Sequence, residues 1–177
     1  MKGLIMGTAK PHGRYFFKVN DGEWESFDNL ITTEGLNFIL NVALGETTKA
    51  SGLYLALFSG SAAPAANWTA ASFPSAANEI TSQTEGYTNA TRPLWKPSAA
   101  KEGQIDNMGA GGDDVSVAAK VTIATTSSIS VSGIALLTAS GKGAQTGTLI
   151  SAAKMPIPRT LQNGDTFYIG YRLTLTA

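Results

Sequence analysis

Residues 166–176 constrain this chain most. Phe167, Ile169, Tyr171, Leu173 and Leu175 fall on one side of an extended backbone, and Tyr168, Gly170, Arg172 and Thr174 on the other. Strand side chains alternate with period two, so this segment predicts a strand with one face in a core. The turn Asn163-Gly164-Asp165 precedes it. Similar β-branched, alternating stretches occur at Val115-Ser116-Val117, at 120–124 and at 128–137, and Thr148-Leu149-Ile150 predicts a short strand ahead of Pro156 and Pro158. Leu53 to Phe58 is apolar on both faces, as a central buried strand is. Near the start, Tyr15–Val19 and Glu23–Phe27 flank Asn20-Asp21-Gly22, a hairpin signal in which Gly supplies positive φ. Trp24 and Phe27 cannot share a face under strict alternation, so the second strand is expected to end or bulge near Ser26.

One helix interrupts this pattern, from Thr33 to Leu44. Thr33 is the expected N-cap, Glu34 suits the positive end of the helix dipole, and Gly45 is the expected stop. Leu36, Ile39, Leu40, Ala43 and Leu44 form its apolar stripe, which predicts a helix covering one end or face of a sheet. The run Ser59–Asn78, rich in Ser, Ala and Pro, carries Trp68 and Phe73 and is too long for an idle connection. Prolines 93 and 97 confine any strand between Glu79 and Asn107 to an edge. Many short strands and one short helix predict a mostly-β fold, an antiparallel β-sandwich or jelly roll. Its expected organisation is an extended N-terminal arm and hairpin at residues 1–28, with Met1–Gly13 the arm, followed by a sandwich domain at 29–177.

Composition narrows the function classes. With 13 basic and 13 acidic residues the net charge is +0, so no global field draws the chain to nucleic acid or an anionic membrane. Charged residues make up only 15 %, against roughly 25 % in ordinary domains, and the deficit is filled by small neutral residues suited to a protein contact. Cys is absent, which removes disulfides, thiolate nucleophiles and cysteine metal sites. No secretory apolar region follows Lys2, and no stretch reaches the roughly 18 apolar residues of a membrane span.

Catalysis finds little to stand on. The one histidine, His12, lies in the expected arm, where nothing orients it as a base, so no enzyme is expected. Glu79, Glu85, Asp113 and Asp114 are candidates for a carboxylate pair, but nothing in the sequence sets two of them across a cleft. Asp113-Asp114 lacks the alternating ligands of a calcium loop, and Gly109–Gly112 lacks the Lys-Ser/Thr of a phosphate loop, so neither metal nor cofactor is expected. Lys2, Lys10, Arg14 and Lys18 are offset by Asp21, Glu23, Glu25 and Asp28. An arm lying on DNA and an arm contacting an acidic neighbour account for these charges equally well, and nucleic acid is not the expected partner. Trp68, Phe73, Tyr87 and Trp95 are expected in a core or subunit contact, with a sugar-stacking platform as the alternative.

The order of segments carries a resemblance. Asn29-Leu30-Ile31-Thr32-Thr33-Glu34-Gly35-Leu36-Asn37 leads into the helix that ends at Leu44-Gly45, and Leu53–Phe58 follows. Glu85-Gly86-Tyr87, Thr91–Trp95, Ser132–Leu137 and Gly164–Tyr171 complete the series. Together, over Asn29 to Thr176, they resemble a family of small structural proteins of tailed bacteriophages and prophages, often encoded among head and head–tail genes. The resemblance implies no catalytic residues, and decoration, cement, head–tail joining and tail-fibre roles within the virion. The leading expectation is a capsid decoration or cement protein on the phage head surface, assembled in the host cytoplasm. Its expected partners are the major capsid protein and further copies of itself, as a dimer or trimer. Contacts are expected from the basic and apolar residues placed outside regular structure: Lys10, His12, Arg14 and Tyr15 of the arm, and Trp68 and Phe73 of the long loop.

Overall fold

Two antiparallel sheets face each other across a core rich in aromatic and aliphatic side chains. The computed structural model describes residues 10–176. The strands are β1 (Lys10–Val19), β2 (Glu25–Asp28), β3 (Leu30–Ile31), β4 (Leu53–Phe58), β5 (Gly86–Tyr87), β6 (Leu94–Trp95), β7 (Gln104–Asp106), β8 (Ala119–Ala124), β9 (Ser128–Leu137), β10 (Leu149–Gln162) and β11 (Thr166–Thr176). Helix α1 (Thr33–Leu44) lies between β3 and β4, and the short α2 (Phe73–Ala77) follows β4. The first sheet runs β2-β1-β11-β8-β5, with β7 on the same edge of β11 as β8; the second runs β3-β10-β9-β4-β6. The mostly-β sandwich expected from the alternation is what the chain forms.

The closing strand follows its pattern over its first half: Phe167, Ile169 and Tyr171 are fully buried between the sheets. Leu173 packs partly buried against them, whereas Leu175, expected on the same face, is exposed near the strand's end. β4 is apolar on both faces because both are covered. Leu55 and Leu57 enter the inter-sheet core, while Ala56 and Phe58 join a second cluster outside the second sheet. The long loop Ser59–Asn78 roofs that second cluster, which explains its length and its two aromatic residues. Two polar links cross the sandwich. Tyr15 Oη and Ser151 Oγ lie 2.7 Å apart, and Trp95 Nε1 donates to Asn107 Oδ1 and to the carbonyl of Tyr171. Buried polar groups of this kind are tolerable only when paired, as these are.

Several expectations are corrected. Of the N-terminal arm, residues 1–9 lie outside the described residues, but Lys10–Gly13 is no arm. β1 begins at Lys10 and pairs with β11 over its whole length, from Lys10↔Thr176 to Val19↔Phe167. Tyr15 and Phe17 belong to the inter-sheet core, so the hairpin is an integral part of the sandwich and no boundary falls at 28/29. Gly13 is required by packing: a Cβ there would sit 2.3 Å from Asn29 Oδ1 and 2.5 Å from Tyr171 Oη. In the hairpin turn the positive φ belongs to Asn20 (50°), not to Gly22. Trp24 precedes β2 instead of lying in a strand that ends early, and its Nε1 donates to the Asp113 carbonyl. β10 is not a short strand before the prolines but runs through them. Its register against β9 shifts between Lys154 and Arg159, so Pro156 and Pro158 fall in a bulge where no ladder hydrogen bond is required of them.

Candidate functional site

Helix α1 has the expected limits but a different seat. Its N-cap is Thr32, whose Oγ1 accepts from the Gly35 amide while its own hydroxyl donates to the Leu149 carbonyl. Glu34 Oε2 accepts from the amides of Ala70 (2.9 Å) and Leu149 (2.7 Å), tying the first turn to the long loop and to β10. Gly35 then lies directly on β10: a Cβ at this position would come within 2.1 Å of the Ile150 carbonyl oxygen. These three contacts fix the rotation of the helix. Gly35 faces the sheet, Phe38 and Ile39 pack against the inter-sheet core, and the expected apolar stripe is turned half out of it.

The consequence is an uncovered apolar surface. Leu36, Leu40 and Leu44 are 36 %, 56 % and 85 % exposed, forming a ridge along α1 with i, i+4, i+8 spacing. A separate groove of 430 Å³ lies between the C-terminal half of the helix and the sheets. Phe38, Val42 and Ala43 form one wall, and Leu94, Ile105 and Leu173 lie opposite. Among the described residues Lys49 is the one charged residue that lines it. Singly exposed leucines are ordinary, whereas here three follow one line of a helix. Sequence reasoning placed Leu36, Leu40 and Leu44 in the stripe and assigned that stripe to the core. The signal against this was Phe38 and Val42: with them, α1 carries more apolar surface than one sheet contact can cover.

The six contact candidates divide. Lys10, His12 and Arg14 alternate along β1 and share its exposed outer face, with Asp28 beside them on β2; Arg14 Nη2 is 2.8 Å and His12 Nε2 3.5 Å from Asp28 Oδ1. Tyr15 points the opposite way and is fully buried, so it cannot contact a partner. Phe73 is likewise fully buried, edge-on to Phe58 with ring centroids 6.0 Å apart, because it anchors α2 on the second cluster. Trp68 is half-buried against the same cluster. The structure therefore brings Lys10, His12 and Arg14 together, and neither aromatic of the long loop joins them.

Of the candidate acids, Glu79, Glu85 and Asp114 are engaged elsewhere. Glu79 and Arg92 form a buried bidentate pair, with both N–O distances 2.7 Å, and Arg92 also donates to the Ala139 carbonyl. Glu85 accepts from the amide of Thr126 and the hydroxyl of Thr125, and these hydrogen bonds hold its carboxyl below the usual range. Asp114 is lowered in the same way by hydrogen bonding to Ser116, through its side chain first and its amide second. Beside the ion pair, Lys142 Nζ sits 3.5 Å from the centre of the Tyr87 ring and donates to the Tyr87 carbonyl. Burial pushes this ammonium down to about 8 against the opposing pull of Glu79. Among the described residues no group of three His, Asp or Glu side chains could hold a metal ion, and no helix is long and apolar enough to cross a membrane. Tyr87 and Trp95 are core residues, so Trp68, Phe73, Tyr87 and Trp95 do not form an exposed platform.

What the fold and its surface define is a mostly-β sandwich with an exposed apolar surface on α1, the one long helix among the described residues. No protein-family model matches the chain, and no curated protein matches it significantly.

Proposed function

We propose that this chain is a non-enzymatic structural subunit of a tailed-phage particle, in the first place a capsid decoration or cement protein. In this reading it binds the outer head surface and bridges neighbouring major capsid proteins. The observation that carries a structural role is the exposed ridge and groove of α1, held on a sandwich whose polar links and ion pairs are otherwise closed. Such a surface gains free energy by being covered, at roughly 25 cal/mol for each Å² removed from water. The order of segments from Asn29 to Thr176 directs that role to the phage particle. The polar face of Lys10, His12 and Arg14 offers a second, separate contact, its charge partly neutralised by Asp28. Two contacts per subunit suit a protein that links its neighbours, because repetition over a symmetric lattice makes detachment of the whole network slow.

A tail-tip module that reads carbohydrate, or a head–tail connector component, is the alternative. The carbohydrate form drew on exposed aromatic rings, and with Phe73, Tyr87 and Trp95 buried it loses that support. The test is the copy number of this chain in purified virions, by quantitative mass spectrometry against the major capsid protein. A ratio near one-to-one, or a simple lattice fraction of it, is expected. A count of about a dozen or fewer, one or two rings of a closed symmetric assembly, would move the protein to the neck or tail.

A further inference from the structure

We infer that Asn163 is a modification site, a deamidation site that the fold holds closed and that reacts only when the turn between β10 and β11 opens. In an Asn-Gly pair the amide nitrogen of the glycine attacks Cγ of the asparagine side chain. The N–Cγ bond forms, the Cγ–Nδ2 bond breaks, ammonia leaves, and the amide proton passes to a base in the solvent. Water then opens the cyclic imide on one side or the other, giving aspartate or isoaspartate. Glycine favours the step because, with no Cβ, its nitrogen is open to close approach. Nothing crowds the pair in this protein. Asn163 and Gly164 are both exposed, and a Cβ built on Gly164 meets no atom within 4 Å.

Hydrogen bonds close the site instead. The attack needs a free Gly164 nitrogen, yet that N–H donates to the Ile123 carbonyl at 2.9 Å. It also needs the Asn163 side chain swung onto that nitrogen, yet Oδ1 accepts from the Thr125 amide at 3.2 Å. Ile123 and Thr125 lie where the chain leaves β8 of the first sheet for β9 of the second; residues 163–165 carry β10 back the other way into β11. The two crossings are bound side by side, and the Ile123 amide donates to the Asp165 carbonyl at 2.8 Å. Asn20, from the turn between β1 and β2, clamps the pair. Its Nδ2 donates to Asp165 Oδ1 and its Oδ1 accepts from the Thr166 amide, each at 2.8 Å. Both the Gly164 and the Asn163 bonds must break before the nitrogen can reach Cγ. The rate is therefore that of the free pair multiplied by the fraction of time the turn stands open. Isoaspartate would add a main-chain carbon to a turn whose flanks are fixed in register, Gln162↔Ser128 on one side and Thr166↔Thr122 on the other.

The test follows deamidation at residue 163 by peptide mass spectrometry of the full chain, folded in buffer and unfolded in concentrated urea at the same mildly alkaline pH. The folded chain is expected to react about tenfold more slowly or less, the factor by which the closed turn outnumbers the open one. Asn20→Gly then removes the clamp while leaving the sequence around Asn163 untouched. Asn20 has φ 50°, a conformation that glycine adopts without strain. This variant is expected to deamidate several-fold faster than the wild type when folded, and at the wild-type rate in urea. Equal rates for the folded and unfolded wild type overturn the inference, and that comparison needs no variant. An Asn20→Gly chain that is folded by circular dichroism yet deamidates no faster than the wild type overturns it as well, because the clamp would then not govern the opening.

Discussion

β1 and α1 each place apolar side chains at the spacing their element prescribes, yet one is sealed and the other left open. β1 is bonded to β11 along its entire length and to β2 over Arg14–Phe17, and its inward side chains Tyr15 and Phe17 meet Phe27, Phe167 and Tyr171. α1 touches the sandwich through its first turn and one flank, and Gly35 is its one fully buried residue. A strand consumes its neighbours' hydrogen bonds as well as their apolar surface, so pairing fixes which face turns inward. A helix satisfies its own backbone, and its rotation is free to be set by a few side-chain contacts. In this protein those contacts are Thr32, Glu34 and Gly35, and they leave three leucines outside.

The sharpest way to break the comparison is at Tyr15. Tyr15→Ala removes a fully buried ring and leaves Ser151 Oγ without its partner. A loss of about 3–5 kcal/mol is expected in urea denaturation, as for other large aromatic truncations in a core. A loss near zero would mean that β1 is held by its backbone pairing alone. Gly35→Ala acts next, on the helix and not on the strand. The clashing atom is a backbone carbonyl of β10, so the helix itself must lift. The expected cost is about 1–3 kcal/mol, the range for an overpacked contact. Hydrogen exchange should accelerate in Thr33–Leu44 while β1 amides change only with global stability. Equal acceleration in both would show that the two regions open as one unit.

The parts of this fold that were legible are those where the local pattern and the tertiary partner agree. Phe167, Ile169 and Tyr171 alternate in sequence and all three are buried; the helix limits Thr33 and Leu44 follow from local chemistry, although the cap is Thr32 and not the expected Thr33. Illegible parts depend on a partner distant in sequence. Gly13 and Pro11 read as a loose terminus because nothing nearby reveals that β11 lies alongside, or that the space above Gly13 is filled by Asn29 and Tyr171. Pro156 and Pro158 read as a strand terminus because a bulge can be recognised only against the strand it shifts upon. For the candidate site the same rule holds. All three ridge leucines were visible as an apolar stripe, but their exposure is decided by Ile150, whose carbonyl meets Gly35 from more than a hundred residues away.

Proton linkage gives the smallest expected effect and touches only the sealed side of the comparison. Burial raises the phenols of Tyr15 and Tyr171, with Tyr171 adding to the shift of Tyr15 and their hydrogen bonds to Ser151 opposing it. In the unfolded chain a tyrosine ionises near pH ~10. Above that pH the unfolded state binds fewer protons than the folded one, so stability falls as pH rises. Lys142 works with the opposite sign. Its folded value is about 8 and its ordinary one 10.5, so between these the unfolded chain holds the extra proton and stability rises with pH. That rise is small because most of the Lys142 side chain remains in water, where screening weakens it. Urea midpoints should therefore climb slightly from pH 8, peak near pH ~10 where tyrosine ionisation begins, and then decline. Lys142→Met should flatten the climb, and Tyr15→Phe should make the decline shallower. Burial raises the Tyr87 phenol of β5 as well, and α1 contains no tyrosine, lysine or arginine, so the decline belongs to the sandwich, β1 and β11 among it, and not to the helix. A Tyr15→Phe variant that declines as steeply as the wild type would remove β1 from that account.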